Sequence, residues 1–279
     1  MPKNTSKSKT KKIIFIGLLI LFFLFQNNYI SVNRIIINDS KRMLKRDAFK
    51  IVHLSDLHNK SFYPNQKPLI KRIVQEKPDM IVITGDLIDY KSKQFKPIEN
   101  LLKGIEPLAP IYFVNGNHEA HNKNYGQLLK LLDQYHVTIM NDDALMLTDK
   151  NMNLSMIGLN DPEFSELPVG YIDMNHRFNL NDNDFNILLS HRPELFSYYA
   201  SHDIDLVLSG HAHGGQFRIP FLNQGMIAPN QGFFPKYTKG AYHRNGTTMV
   251  VSAGLGNSII PFRIFNFPEI VVIEVLSEK

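Results

Sequence analysis

The stretch "IDLVLSGHAHGGQ", residues 204–216, passes from a short apolar run straight into two histidines one residue apart among glycines. A run of this length closed by glycine reads as a buried strand ending in a tight turn. Histidine is an ordinary turn residue, so His211 and His213 could be nothing more than that. They are also nitrogen donors on a loop whose glycines let the backbone approach a ligand closely. The choice between these readings depends on how the other strands end.

Outward from that stretch, apolar runs alternate with segments of helical spacing. "FKIVHLSD" (49–56), "MIVITGD" (80–86), "IYFVNGN" (111–117), "LSMIGLND" (154–161), "FNILLSH" (185–191), "TMVVSAG" (248–254) and "EIVVIEVL" (269–276) read as strands. Between them, "NQKPLIKRIVQEKPD" (65–79) places Leu69, Ile70, Ile73 and Val74 on one helical face, and "PIENLLKGIEPL" (97–108), "YGQLLKLLDQYHV" (125–137) and "PELFSYYASHD" (193–203) read as further helices. This alternation predicts an α/β domain with buried sheets covered by helices.

The chain has 279 residues, of which 43% are hydrophobic and 20% charged, as in a folded globular protein. Its formal net charge of +5 sits in the first twelve residues, where Lys3, Lys7, Lys9, Lys11 and Lys12 face no acid. The remaining residues balance, so no basic surface for polymeric nucleic acid is expected. There is no cysteine, which excludes disulfides and thiolate metal ligands. After the lysines comes "IIFIGLLILFFLF", Ile13 to Phe25, thirteen apolar residues without a charge. It is expected to be an uncleaved signal anchor, a single-pass segment of the cell membrane, because no small-x-small cleavage pattern follows. The positive-inside rule places the lysines in the cytoplasm and the rest of the chain outside, although Arg34, Lys41, Arg42, Lys45 and Arg46 downstream pull against that orientation. The expected organisation is a basic tail and anchor (1–30), a linker and lead-in (31–48) and one domain (49–279).

Each strand that reads as most buried ends in residues that are hard to bury. They are Asp56 and His58, Asp86, Asn117 and His118, His191, and His211 and His213. In open α/β sheets ligands collect at the carboxyl ends of strands, so these five ends are expected to meet in one crevice. Carboxylates, an amide oxygen and imidazoles form a nitrogen and oxygen donor set suited to Mn, Fe, Zn or similar ions. Five of the eleven histidines fall at these ends; His53 and His121 lie near enough to assist, and the others are read as structural.

The ordered blocks "SDLH", "GDLID", "GNHE", "LSHRP" and "GHAHGGQ" closely resemble those of the calcineurin-like metallophosphoesterases. The resemblance implies two packed mixed β-sheets flanked by helices, an αββα sandwich preceded here by the N-terminal anchor helix. It also implies two divalent ions, one held by Asp56, His58 and His213 and the other by Asn117, His191 and His211, with Asp86 bridging and His118 catalytic. The implied reaction is attack on phosphorus by a hydroxide shared between the ions, with His118 assisting the leaving group. Glu119 is expected to orient His118 or else to be a solvated loop carboxylate. Arg192 and Asp161 are candidate substrate contacts, with a surface role as the alternative for Arg192.

The "GHAHGGQ" form and the C-terminal stretch are similar to a membrane-associated bacterial branch of the family, some of whose members act on lipid-linked or nucleotide-sugar phosphates. Ala212 stands where that branch usually has threonine. The segment 217–237 carries Phe217, Phe221, Leu222, Met226, Ile227, Phe233 and Phe234, which could border an acyl groove or simply pack on the sheet. The ester type, whether monoester, diester or pyrophosphate, stays open, as do the metal and the oligomeric state. Two other functions also stand: a nucleotide phosphodiesterase or nuclease, and a non-catalytic membrane-tethered binding protein.

Overall fold

The computed structural model describes residues 5–39, 48–148, 153–164, 173–181, 184–257 and 260–277. Helix α1 (Thr5–Asn28) contains the apolar run and extends past it at both ends. Its Lys9–Asn28 portion is long and apolar enough to cross a membrane, about 30 Å of helix at 1.5 Å per residue, and is almost wholly exposed.

The chain then forms β1 (Ser31–Asp39), β2 (Ala48–Leu54), α2 (Lys67–Glu76), β3 (Met80–Thr84), α3 (Lys96–Ile105), β4 (Ile111–Val114), α4 (Asn117–His121), α5 (Tyr125–Gln134) and β5 (Thr138–Ile139). A second run gives β6 (Asp143–Thr148), β7 (Asn153–Gly158), α6 (Met174–Arg177), β8 (Phe185–Leu189), α7 (Phe196–Tyr199) and β9 (Leu206–Ser209). Two small hairpins follow, β10 (Arg218–Ile219) with β11 (Gln224–Gly225) and β12 (Ile227–Ala228) with β13 (Gly232–Phe233). The last elements are β14 (Gly240–Arg244), β15 (Thr247–Val251) and β16 (Glu269–Ser277).

Two six-stranded mixed sheets result, in the orders β1-β16-β2-β3-β4-β5 and β14-β15-β9-β8-β7-β6. Neighbours from β2 to β5 are parallel, as are β15, β9, β8 and β7, whereas β16 enters the first sheet antiparallel to β2 and parallel to β1. The C-terminal strand thus closes the sheet that the first half of the chain opened.

Side-chain alternation explains the layering. In β3, Met80 and Val82 face the core between the sheets, where they join Ile51, Ile187, Leu189, Leu208 and Ile273. Ile81 and Ile83 face the other way, onto Leu69, Ile73, Ile98 and Leu102 of α2 and α3. The second sheet does the same, with Leu188, Val207 and Met249 against Met174, Phe196 and Tyr199. Both faces of the central strands are therefore buried, which is why their sequences read as unbroken apolar runs. The fold is the expected helix–sheet–sheet–helix sandwich.

Two local expectations differ from the structure. Residues 31–39, expected as part of a linker, are the edge strand β1; the polar residues around Ile35, Ile36 and Ile37 are those of a strand with a neighbour on one side only. The rest of that linker, 40–47, with Lys41, Arg42, Lys45 and Arg46, lies outside the described residues. The helix expected over 193–203 is only a 3-10 turn at Pro193–Leu195 followed by α7, because the chain must turn back within a few residues to enter β9.

Ile273 lies at 0% exposure in β16 between the sheets. Ile273→Ala is expected to lower unfolding stability by about 2–5 kcal/mol, read as a lower urea midpoint in detergent at unchanged m-value.

Candidate metal centre

The crevice forms where the carboxyl ends of β2, β3 and β4 in one sheet meet those of β8 and β9 in the other. The chain turns unusually sharply there. Asp56, His58, Asp86, His211 and His213 all have left-handed backbones, with φ of 51°, 48°, 52°, 65° and 48°. Such values are uncommon outside glycine, and their gathering at five strand-end positions marks a site where function sets the backbone. Close approach needs glycine at two neighbouring points. A Cβ on Gly210 would lie 1.9 Å from Ser55 Oγ and 2.4 Å from Asp56 Oδ2, and one on Gly116 would lie 2.3 Å from Asp86 Oδ1.

Asp86 is central. Its Oδ2 lies 3.2 Å from His191 Nε2, 3.6 Å from His58 Nε2 and 4.0 Å from His118 Nε2. Its Oδ1 accepts the backbone N–H of His118 at 2.9 Å. Asp56 accepts the backbone N–H of His211 on both oxygens at 3.1 Å, and its Oδ1 stands 3.4 Å from His213 Nε2. Two groups of ligand atoms result, each drawn together within 4.8 Å: Asp56, His58, Asp86 and His213, and Asp86, His191 and His211. A third group, His58, Asp89 and His118, lies beside them.

Inside each group two imidazoles face one another. His58 Nε2 and His213 Nε2 are 3.1 Å apart, and so are His191 Nε2 and His211 Nδ1. In the second pair both outer nitrogens are already engaged by other partners. His191 Nδ1–H donates to Thr84 O at 2.7 Å, and His211 Nε2 stands between Asn230 Oδ1 at 2.9 Å and the Arg192 guanidinium at 3.2 Å. The inner nitrogens, His191 Nε2 and His211 Nδ1, are left facing one another beside Asp86 Oδ2. Asn117 adds an amide oxygen, Oδ1, that is buried without a hydrogen-bond partner among the described residues. Imidazole nitrogens crowded around buried carboxylates, with an orphaned amide oxygen beside them, are what a cation relieves, so the donors present fit divalent metal ions.

The electrostatics agree. Burial pushes the His58 imidazole down to about 3 and takes His211 and His213 well below the usual range, so these rings are neutral donors. Burial acts on His191 in the same direction, but Asp86 and Asp56 overcome it and hold the ring up at about 10. Asp86 would be raised by burial, yet the surrounding histidines keep its carboxyl well below the carboxylate range.

Glu119 takes neither of its expected roles. It is fully buried and accepts the backbone N–H groups of Asp86 (2.8 Å), Gly116 (2.8 Å) and Ile88 (3.1 Å), so it fixes the β3 and β4 turns rather than the His118 ring. Burial beside Asp86 pushes its carboxyl up to about 8, against three donors that favour the ionised form. His118 Nδ1 instead accepts the Tyr90 N–H at 3.2 Å, with Asp89 Oδ2 at 3.6 Å.

Arg192 and Asp161, expected at the substrate, take each other as partners. The guanidinium donates to both Asp161 oxygens, at 2.5 and 2.8 Å, and to Asn230 Oδ1 at 2.9 Å, and the residue is only 4% exposed. This pair sits behind His211 as a brace, not on the surface. Of the two helper histidines, His53 bonds Thr84 Oγ1 at 2.7 Å beneath the site, while His121 points outward beside Glu163.

Sequence reasoning missed Asp89, Asn230 and Arg263. Asp89 follows Asp86 in a block already quoted, at a spacing of three that a turn places on the same side. Asn230 and Arg263 come from segments far along the chain, and only their contacts mark them. Buried Arg263 donates to Ala253 O at 2.8 Å and Gly256 O at 3.0 Å, with Nη2 3.5 Å from His213 Nδ1.

Comparison with known proteins gives the same assignment. Residues 49–215 match the calcineurin-like phosphoesterase family model. The chain is 31% identical over 238 residues to the metallophosphoesterase YkuE of Bacillus subtilis, covering 83% of this chain and 80% of that protein. It is 32% identical over 243 residues to the metallophosphoesterase Cj0846 of Campylobacter jejuni, covering 85% of this chain and 61% of that protein, so it spans about three-fifths of that relative. It is 26% identical over 244 residues to the phosphodiesterase YaeI of Escherichia coli, with 82% of each covered. A match over more than half its length, with side chains able to hold metal ions gathered in one crevice, makes this chain a member of the calcineurin-like phosphoesterases and a metal-dependent phosphoester hydrolase.

Proposed function

We propose that the chain is a membrane-anchored phosphoesterase with a binuclear centre. Asp56, His58 and His213 would hold one divalent ion, Asn117, His191 and His211 the other, and Asp86 would reach both. The observation that carries this reading is the His191–His211 pair, whose inward nitrogens stand 3.1 Å apart with both outer nitrogens already engaged by other partners. Ions bound there would supply positive charge for the phosphate oxygens and a nucleophilic water near neutral pH.

The remaining tasks fall to the chain's own groups. His118 accepts the Tyr90 N–H on Nδ1, so its neutral ring carries the proton on Nε2, the nitrogen turned toward Asp86. From there it donates to the departing oxygen of the ester. Glu119 and the Arg192–Asp161 pair hold the turns that aim the donors, so that little reorganisation is needed when substrate arrives. The name of the Escherichia coli relative supports a diester among the substrates. The apolar, uncharged run within α1 supports anchoring, with the N-terminal lysines on the cytoplasmic side.

The test is metal content together with turnover. Full-length chain loaded with Mn²⁺ is expected to retain about two ions, and Asp86→Asn to lose both. His118→Gln should keep its metal while kcat on phosphodiester and phosphomonoester substrates falls about 10²- to 10⁴-fold. Retention of less than about one ion by the unaltered chain, or a His118→Gln enzyme as active as the parent, would overturn the assignment.

Gly210→Ala offers a second check. The added methyl group meets Ser55 Oγ and Asp56 Oδ2 well inside contact distance, so Asp56 and the His211 backbone must separate. Reduced metal retention and a lower Tm are expected; an unchanged metal content would show that the close approach is not needed.

A further inference from the structure

The loops that follow the metal-binding strands carry an apolar surface that catalysis does not use. Among the described residues, five of the six exposed phenylalanines outside α1 fall between 221 and 265. Phe221 and Leu222, at 105% and 69% exposure, cap the β10–β11 hairpin, and Phe233 and Phe234, at 76% and 61%, close the β12–β13 hairpin. Phe262 and Phe265, at 38% and 50%, lie on the segment that runs into β16. The three pieces adjoin: Phe217 stacks on Phe262 at 5.6 Å and bridges to Ile264, while Ile260 shares a cavity wall with Ile227 and Gly232.

This surface is tied to α1. Phe262 packs edge-on against Phe23 at 5.6 Å, and Phe265 against Phe22 at 5.8 Å. Asn27 Oδ1 accepts the backbone N–H of Arg263 at 3.0 Å and the Asn257 side chain at 3.2 Å. Phe22 and Phe23 belong to the charge-free apolar run itself, and Phe22 lies six residues, about 9 Å of helix, before the end of α1. Rings that touch α1 at that depth cannot stand clear of a bilayer that α1 crosses. Charge is consistent with this placement: from Leu206 to Pro268 there is no Asp or Glu, and Lys236 is exposed two residues from Phe234.

We propose that Phe221, Leu222, Phe233, Phe234, Phe262 and Phe265 form a membrane-contact rim that lies at the headgroup–acyl boundary of the bilayer crossed by α1. The occupant of this surface is the lipid interface. An interface favours aromatic and aliphatic side chains backed by cationic ones, as found here. The rim also sets where the active site opens. A cavity of about 420 Å³ beside His213 is walled by Gln216, Ile227, Asn230, Gly232 and Ile260, from the same hairpin and segment. A phosphoester held in the bilayer surface therefore meets the metal centre without leaving the interface. The inference rests on α1 as a membrane anchor, a part of the function proposed above.

The chain contains no tryptophan, so single tryptophans report without background. Full-length protein is reconstituted into phosphatidylcholine–phosphatidylglycerol vesicles, plain or with acyl chains brominated near the headgroup or near the bilayer centre. Leu222→Trp, Phe233→Trp, Leu19→Trp in α1 and Gln134→Trp at the end of α5, by the sheet edge opposite β1, are compared. The rim tryptophans should emit at shorter wavelength than Gln134→Trp and lose emission to the shallow bromines, Leu19→Trp should lose emission to the deep ones, and Gln134→Trp to neither. If Leu19→Trp is quenched and both rim positions are not, the rim proposal is overturned while the anchor stands. A rim tryptophan that is shielded but unquenched means a second copy covers it, which also overturns the proposal. If Leu19→Trp itself escapes quenching, the anchor fails and the rim falls with it.

Discussion

The rest of this structure depends on concentrating electron pairs at the seam between two sheets. The Asp56 and Asp86 carboxylates, four inward imidazole nitrogens and the orphaned Asn117 oxygen converge from five strand ends into one buried cluster. A cation bound in this cluster would take up several of these electron pairs at once and balance the carboxylates. The protein keeps this cluster together because the two six-stranded sheets are rigid and buried on both faces. The energy of that core outweighs the cost of a crowded polar edge.

The cost is visible in the backbone. Five candidate ligands adopt left-handed conformations that non-glycine residues seldom take, and the glycines beside them sit where any side chain would strike Asp56 or Asp86. Buried polar residues outside the ligand set support these turns. Glu119 gathers three backbone N–H groups, Arg192 and Asp161 brace Asn230 against His211, and Arg263 ties the 253–256 turn beneath Asp56 to the His213 ring. Each is a polar or charged group that would be expensive to bury alone, and each is paired or bonded to the backbone of the site.

Arg263 also connects the metal centre to the N-terminal helix. Its backbone N–H bonds Asn27, and its neighbours Phe262 and Phe265 pack against Phe23 and Phe22. The helix is therefore not a tether on a loose linker. Its final turns rest on the domain within a few residues of a guanidinium that touches a candidate ligand, and β1 continues from it into the first sheet. The orientation of the domain with respect to the helix is set by packing, which in a bilayer fixes the direction in which the cleft faces.

Much of this was legible in the chain. The apolar runs alternating with helical spacing specify an α/β sandwich because burial on both faces leaves no polar period in the central strands, and the ordered blocks from "SDLH" to "GHAHGGQ" name the donors. What the sequence left open has a common physical cause. β1 reads as a linker because an edge strand needs little apolar pattern, and its partner β16 lies more than two hundred residues away. Glu119 and Arg192 gave no sign of burial, since their partners are backbone groups and an aspartate on other strands. Composition and spacing report which residues are chemically able to bind or catalyse. Which of them face the metals, which brace the turns and where the cleft opens are decided by contacts between distant segments, and only the folded chain brings those segments together.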